Sequence, residues 1–125
     1  MSISKIQYKG IEVLYVDYSP CDGTEAMIEQ LHQSADAIRD YPDKSAYTLI
    51  NVAGASSSRE FMNESKKLST EVYTKKAKAR AIIGIDPIKK VLLTAYNVYN
   101  KQNKIVPVNT KEEGLEYLYN QSLAS

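Results

Sequence analysis

The stretch KARAIIGIDPIKKVLLTAYNVYN, residues 78–100, decides the fold class of this 125-residue chain. Its first part, over residues 79–85, is almost continuously apolar, which is typical of a strand covered on both faces. Asp86 and Pro87 then supply a helix N-cap and a first helical residue. The helix that follows is predicted to bury Ile88, Val91, Leu92, Ala95 and Tyr99. A buried strand followed at once by an amphipathic helix indicates an α/β fold with parallel strands.

The same unit recurs on both sides of this stretch. Apolar and polar residues alternate on both sides of Lys9-Gly10, which predicts two strands joined in a hairpin. Thr24 is predicted to be the N-cap of the first helix, and Thr110 begins a capping box for the last. A serine run, 56–58, leads into a long helix that ends near residue 76. The other predicted elements are strands 3–8, 11–18, 46–53 and 105–108, the helix 24–40, and a terminal helix that buries Leu115, Leu118 and Tyr119.

The order of elements is therefore β-β-α-β-α-β-α-β-α. Strands separated by single helices imply right-handed parallel crossovers, and the N-terminal hairpin adds an antiparallel edge. We predict a single mixed, mostly parallel sheet of about five strands. The length and the 43% apolar, 25% charged composition suit one globular domain that spans residues 1–125.

Residue counts exclude several kinds of site. One histidine and one cysteine allow neither a two-histidine zinc site nor an intramolecular disulfide. His32 is predicted to be a helix-boundary residue and Cys21 an unreactive thiol. We therefore predict no catalytic residues, no metal ligands and no cofactor. A net charge of +1 and the lack of a long apolar segment predict a cytoplasmic protein that binds no nucleic acid and has no transmembrane segment.

Six basic residues lie between residues 66 and 80. Such a cluster can meet an anionic lipid or a nucleic acid, but it lacks the series of interleaved aromatic residues that would stack on successive bases. We predict a solvated helix end for this cluster. Its members are Lys66, Lys67, Lys75, Lys76, Lys78 and Arg80.

Four segments together resemble the SpoIIAA-like proteins, bacterial members of the STAS and CRAL-TRIO-like group of small α/β domains. They are IEVLYVDYS (11–19), LINVAGAS (49–56), the stretch 78–100 quoted above, and KIVPVNTKEEGLEYL (104–118). The family's last helix typically reads T-x-E-E-A-L-x-W-L, where this chain has Gly114 and Tyr117 at the Ala and Trp positions. The resemblance covers roughly residues 10–120 and consists of positions that determine the fold.

The resemblance implies a protein that is not an enzyme and acts by binding. In the similar anti-sigma factor antagonists, a serine at the start of the second crossover helix is phosphorylated and switches the binding of a partner kinase. Glu60 stands near that position here, with Arg59 where the family has an aspartate. The resemblance also implies a second possibility, because proteins of the CRAL-TRIO type hold an apolar ligand between the helices and the sheet.

The predicted partner-binding site lies where inner strands end and helices begin. Ligands favour this edge of parallel sheets, and a helix N-terminus attracts anions. The candidate residues are Gly54, Ser56, Ser57, Ser58 and Asp86. The alternative role of the serines and of Asp86 is helix capping.

Tyrosine accounts for 10 of the 11 aromatic residues. Tyrosines on helices that pack together can rim an apolar pocket or form a dimer patch, and ordinary boundary packing is the alternative. The candidate pocket residues are Phe61, Leu92, Tyr96 and Tyr99.

The leading functional prediction is a protein-interaction or regulatory module with a shallow, polar working edge. Its rival is a carrier of a small apolar or lipid-like ligand, which requires an enclosed pocket of about 300 Å³ or more. An acyl- or phosphoryl-transfer enzyme has little support, because the chain has neither a P-loop nor a GxSxG elbow. The sequence does not decide whether the protein forms a homodimer.

Overall fold

The chain forms one five-stranded sheet with helices on both faces. The computed structural model describes residues 3–55, 58–99 and 104–124, except for the side chains of Ile88 and Tyr99. The strands are β1 (Ile3–Tyr8), β2 (Ile11–Asp17), β3 (Ala46–Asn51), β4 (Ala77–Ile83) and β5 (Ile105–Pro107). The helices are α1 (Thr24–Arg39), α2 (Arg59–Leu68), α3 (Thr74–Lys76), α4 (Pro87–Tyr99) and α5 (Lys111–Leu123), with a π-helical turn, Ser69–Tyr73, between α2 and α3.

The strands lie side by side in the order β1-β2-β3-β4-β5. β1 and β2 pair antiparallel, with Tyr8 opposite Ile11, and every other neighbouring pair is parallel. Lys9 and Gly10 form the two-residue turn of the hairpin, and both have positive φ, which matches the twist of the paired strands. The predicted fold class and element order are therefore confirmed.

Each face of the sheet has its own apolar core. On one face α1, the α2–α3 segment and α4 pack against side chains such as Leu14, Ile50 and Ile82. On the other face α5 packs Leu115 and Leu118 against the odd-numbered residues of β2, β3 and β4. The three crossover helices share one face because each connects adjacent parallel strands with the same hand. The terminal helix, α5, covers the opposite face.

The prediction for the buried face of α4 was wrong in part. Val91 and Ala95 are exposed, whereas Leu93 and Tyr96 are buried. The segment from 91 to 96 is apolar at five of its six positions, so periodicity allows more than one buried face. Contact with the sheet selects the face that carries Leu93 and Tyr96.

Several other boundaries differ from the prediction. The N-cap of α1 is Gly23 instead of Thr24, and it makes no side-chain capping bond. β4 begins at Ala77 and ends at Ile83, two residues before the predicted limits at each end. Tyr119, predicted to be buried, is half-buried.

The long helix after the serine run is not a uniform α-helix. Five residues, Ser69–Tyr73, form a π turn in which Ser69, Val72 and Tyr73 are buried. A π turn rotates the residues that follow it relative to a regular α-helix, and such turns are frequent at functional sites. Within the described residues, no helix combines the length and apolar composition needed to cross a membrane.

Candidate binding edge and apolar cavity

The predicted edge forms where the chain leaves β3 and β4. The backbones at the ends of β3 and β4 lie in close contact. A Cβ added to Gly84 would lie only 2.3 Å from the nitrogen of Ala53. The amide of Val52 also donates to the carbonyl of Ile83 at 3.0 Å. The structure therefore brings the segments that carry Gly54 and Asp86 to the same end of the sheet.

The polar groups of this edge are engaged in helix capping. The Ser58 hydroxyl accepts a hydrogen bond from the amide of Phe61 at 3.1 Å, and it caps α2. Asp86 Oδ1 accepts from the amide of Lys89 at 2.8 Å. The Lys89 ammonium donates in turn to the carbonyl of Val52 at 2.7 Å, which ties α4 to the end of β3. Ser56 and Ser57 lie outside the described residues.

The cap at Ser58 gives a direct stability test. We expect Ser58→Ala to lower the free energy of unfolding by about 1 kcal/mol, because the amide of Phe61 loses its acceptor. Urea-induced unfolding followed by circular dichroism measures this change. Ser58→Asp is the matched control, since aspartate is an equally good N-cap. An equal loss in both variants would contradict the capping role.

A cavity of about 110 Å³ lies between the sheet and the helices α1, α2 and α4. Phe61, Leu92 and Tyr96, all proposed from the sequence as pocket residues, line it. The side chain of Tyr99 lies outside the described part. The cavity is smaller than the 300 Å³ expected for a carrier and is partly open to solvent, yet a shallow edge alone does not require it.

A buried arginine occupies the strand floor of this cavity. Arg80 on β4 is only 4% exposed, and its register partner on β3 is Thr48, which is 1% exposed. Both residues line the cavity. Arg80 therefore does not belong to a solvated basic cluster, and the prediction for it was wrong. Strand alternation places Arg80 on the same face as Ile82, which α1 and α4 cover. Lys78 remains exposed beside the register irregularity at the start of β4.

Two tyrosines hold the Arg80 guanidinium in place. Its Cζ lies 4.3 Å from the ring centroid of Tyr73 and 5.7 Å from that of Tyr96. Its Nη1 donates to the Tyr96 hydroxyl at 2.8 Å. The Tyr73 hydroxyl hydrogen-bonds with the hydroxyl of Ser34 on α1. Cation–π contact and these hydrogen bonds restrict the guanidinium to one arrangement.

Tyr73 and Tyr18 do not neutralise this cation. Burial raises the pKa of the Tyr73 phenol above its ordinary value, although the Arg80 guanidinium acts in the opposite direction. Burial likewise raises the pKa of Tyr18, which also lines the cavity. Tyr73 and Tyr18 are therefore protonated and uncharged at neutral pH, whereas arginine keeps its charge in proteins.

Two buried polar atoms of the cavity floor have no hydrogen-bond partner among the described protein groups. They are Arg80 Nε and Thr48 Oγ1. Such atoms are uncommon in folded proteins, because each costs free energy when removed from water. The sequence carried a signal for this pair that we did not use. An arginine and a threonine stand within the apolar stretches of two adjacent strands.

The single histidine and the single cysteine show no sign of a catalytic arrangement among the described residues. His32 Nε2 lies 2.6 Å from Glu64 Oε2, a cross-helix contact that sequence spacing did not indicate. Burial, with the nearby Asp17 carboxylate, raises the pKa of the Cys21 thiol, which lowers its reactivity. Within the described ranges, no group of three or more His, Cys, Asp or Glu residues is placed to hold a metal ion.

Comparison with known proteins defines the class of fold. No family profile matches the chain, and no curated protein matches its sequence. The chain is similar to the solved structure of an anti-sigma-factor antagonist (STAS) domain protein from Planctomyces limnophilus. The TM-score is 0.54 and the sequence identity 16%, over 94% of this chain and 97% of that chain. The chain therefore has a SpoIIAA-like, STAS-type fold, as its sequence resemblance implied.

Proposed function

We propose that the protein is a regulatory protein-interaction module without catalytic activity. Its partner binds at the strand-to-helix edge that contains Gly54, Ser58 and Asp86, with Ser56 and Ser57 beside them in sequence, and along the adjoining surface of α4. The similar STAS structure belongs to a protein described as an anti-sigma-factor antagonist, and this supports a binding role. Function on a shared fold depends on the site, however, so the proposal rests mainly on α4.

An exposed apolar stripe on α4 is the observation that carries the proposal. Val91 is 70% exposed and Val98 is 64% exposed, and Ala95 between them is also exposed. Positions i, i+4 and i+7 lie on one face of a helix. Exposed apolar side chains that cluster in this way are typical of interaction surfaces. The stripe begins within two turns of Asp86, so one partner can contact both.

The test uses the double variant Val91→Asp/Val98→Asp. Proteins captured from the source cells are identified, purified and titrated against the wild type and the variant by calorimetry. We expect the true partner to bind the variant at least about tenfold more weakly, because central apolar contacts carry most of the energy of an interface.

Leu123→Asp is the matched control. Leu123 is equally exposed but lies on α5, on the other side of the sheet. A partner that binds all three proteins with the same affinity would contradict the proposal. So would self-association that Val91→Asp/Val98→Asp abolishes, since the stripe would then be a homodimer interface.

The cavity favours a second function, the binding of a small apolar ligand. Its walls are formed mostly by apolar and aromatic side chains, among them the predicted pocket residues Phe61, Leu92 and Tyr96. Its volume of about 110 Å³ suits a small molecule better than a long acyl chain. We include this carrier-like role as the alternative function.

A further inference from the structure

We propose that Arg80 and Thr48 form an anion subsite in the cavity, and that the ligand is a small apolar carboxylate whose charged end binds there. This inference rests on the second of the two proposed functions, ligand binding in the cavity. It adds the chemical class of the ligand and the residues that select it.

The charge of Arg80 is the first argument. Within the described ranges, no carboxylate oxygen lies within 4 Å of its guanidinium, and residues 1, 2, 56, 57, 100–103 and 125 include no Asp or Glu. A cation that is 4% exposed and has no anionic partner among the described residues is costly. A carboxylate brought by a ligand removes this cost.

The arrangement of donors is the second argument. Arg80 Nε carries one N–H and Thr48 Oγ1 one O–H, and neither finds an acceptor among the described protein groups. The two residues are register partners on neighbouring strands and line the same cavity. A carboxylate has two oxygens, so one group can accept from both donors. The stacked Tyr73 ring and the Tyr96 hydroxyl hold the guanidinium ready for such a contact.

The size of the cavity limits the rest of the ligand. An engineered cavity of about 150 Å³ lined by apolar side chains binds benzene, so about 110 Å³ limits the apolar part of the ligand to at most one small ring or a short branched chain. Leu31, Ile50 and Leu93 are among the apolar side chains that would surround it. An aryl or short branched carboxylate therefore fits both the volume and the charge.

Ordered water is the competing occupant. A water molecule can accept from Arg80 Nε and from the Thr48 hydroxyl, but it leaves the buried charge uncompensated. If water alone fills the site, anions and neutral molecules of the same shape should bind with equal affinity. The anion subsite predicts that the anion binds much more tightly.

The experiment compares benzoate with benzamide, which has nearly the same shape and no charge. Each is titrated into the full chain by calorimetry, and amide chemical shifts of Thr48 and Ile82 report where it binds. We expect benzoate to bind at least about tenfold more tightly than benzamide, because hydrogen bonds between ionised groups are stronger than neutral ones. Benzoate should also raise the melting temperature in a concentration-dependent way.

Three variants locate the preference. Arg80→Met should reduce the affinity for benzoate to that for benzamide and leave benzamide binding within about threefold, and Thr48→Val should weaken benzoate alone. Lys78→Met is the control, since it removes an exposed cation from the same strand. If Arg80→Met does not fold, Arg80→Lys keeps a charge but loses the Nε donor, and we expect an intermediate affinity for benzoate.

The outcomes separate the two levels of the proposal. Equal binding of benzoate and benzamide in the cavity would overturn the anion subsite and keep apolar ligand binding. Binding of neither would overturn both. A preference for benzoate that survives Arg80→Met but is lost in Lys78→Met would place the anion on the surface and also overturn the inference.

Discussion

Gly84→Ala is expected to lower the free energy of unfolding by about 3 kcal/mol or more, the sum of backbone strain and overpacking. Gly84 has φ of 86°, where an L side chain is strained. An added Cβ would also lie 2.3 Å from the nitrogen and 2.6 Å from the Cα of Ala53, which are backbone atoms that cannot turn aside. Urea-induced unfolding followed by circular dichroism measures the loss.

Gly54→Ala is the matched control for this result. Gly54 also has a positive φ, 71°, but a Cβ there would meet no atom within 4 Å. We expect this control to lose only about 1–2 kcal/mol from backbone strain. Equal losses in the two variants would show that the close contact between the exits of β3 and β4 does not govern stability.

The second large effect is expected at Leu118. Its side chain is 0% exposed and forms the centre of the core between α5 and the sheet. Leu118→Ala should therefore lower the free energy of unfolding by about 2–5 kcal/mol, through lost burial and the cavity left behind. The same urea titration measures it, with an unchanged m value as the sign that the folded state has stayed compact.

Leu123→Ala provides the comparison within the same helix. Leu123 is 68% exposed, so we expect a change of about 0.5 kcal/mol or less. If Leu118→Ala lowers the free energy of unfolding no more than Leu123→Ala, α5 does not depend on its apolar face for docking. The core between α5 and the sheet would then contribute little to stability.

The predicted pocket residues illustrate the limits of sequence periodicity. Phe61, Leu92 and Tyr96 were proposed from their helical positions, and all three line the cavity. The volume of the cavity was not predictable, because it depends on how far three helices stand from the sheet. The exposure of Val91 was also missed, since an apolar run such as VLL does not specify which side a helix presents to the sheet.

At the candidate edge, too, the sequence predicted some features and missed others. Ser58 and Asp86 were predicted as either binding or capping residues, and their oxygens do accept capping hydrogen bonds from Phe61 and Lys89. Capping follows from local spacing, so sequence could indicate it. The contact between Gly84 and Ala53 joins residues 31 positions apart, and no local pattern indicates it.

The sequence by itself determined the order of the elements and the mixed sheet. Strand alternation, the caps at Ser58 and Thr110 and the turn at Lys9-Gly10 are local signals, and each acts within a few residues. Only the tertiary structure decided that Arg80 is buried beside Thr48, with its guanidinium against the rings of Tyr73 and Tyr96. An arginine that stands among lysines in the sequence is typical of an exposed segment. Its burial depends on which helices cover that face of β4.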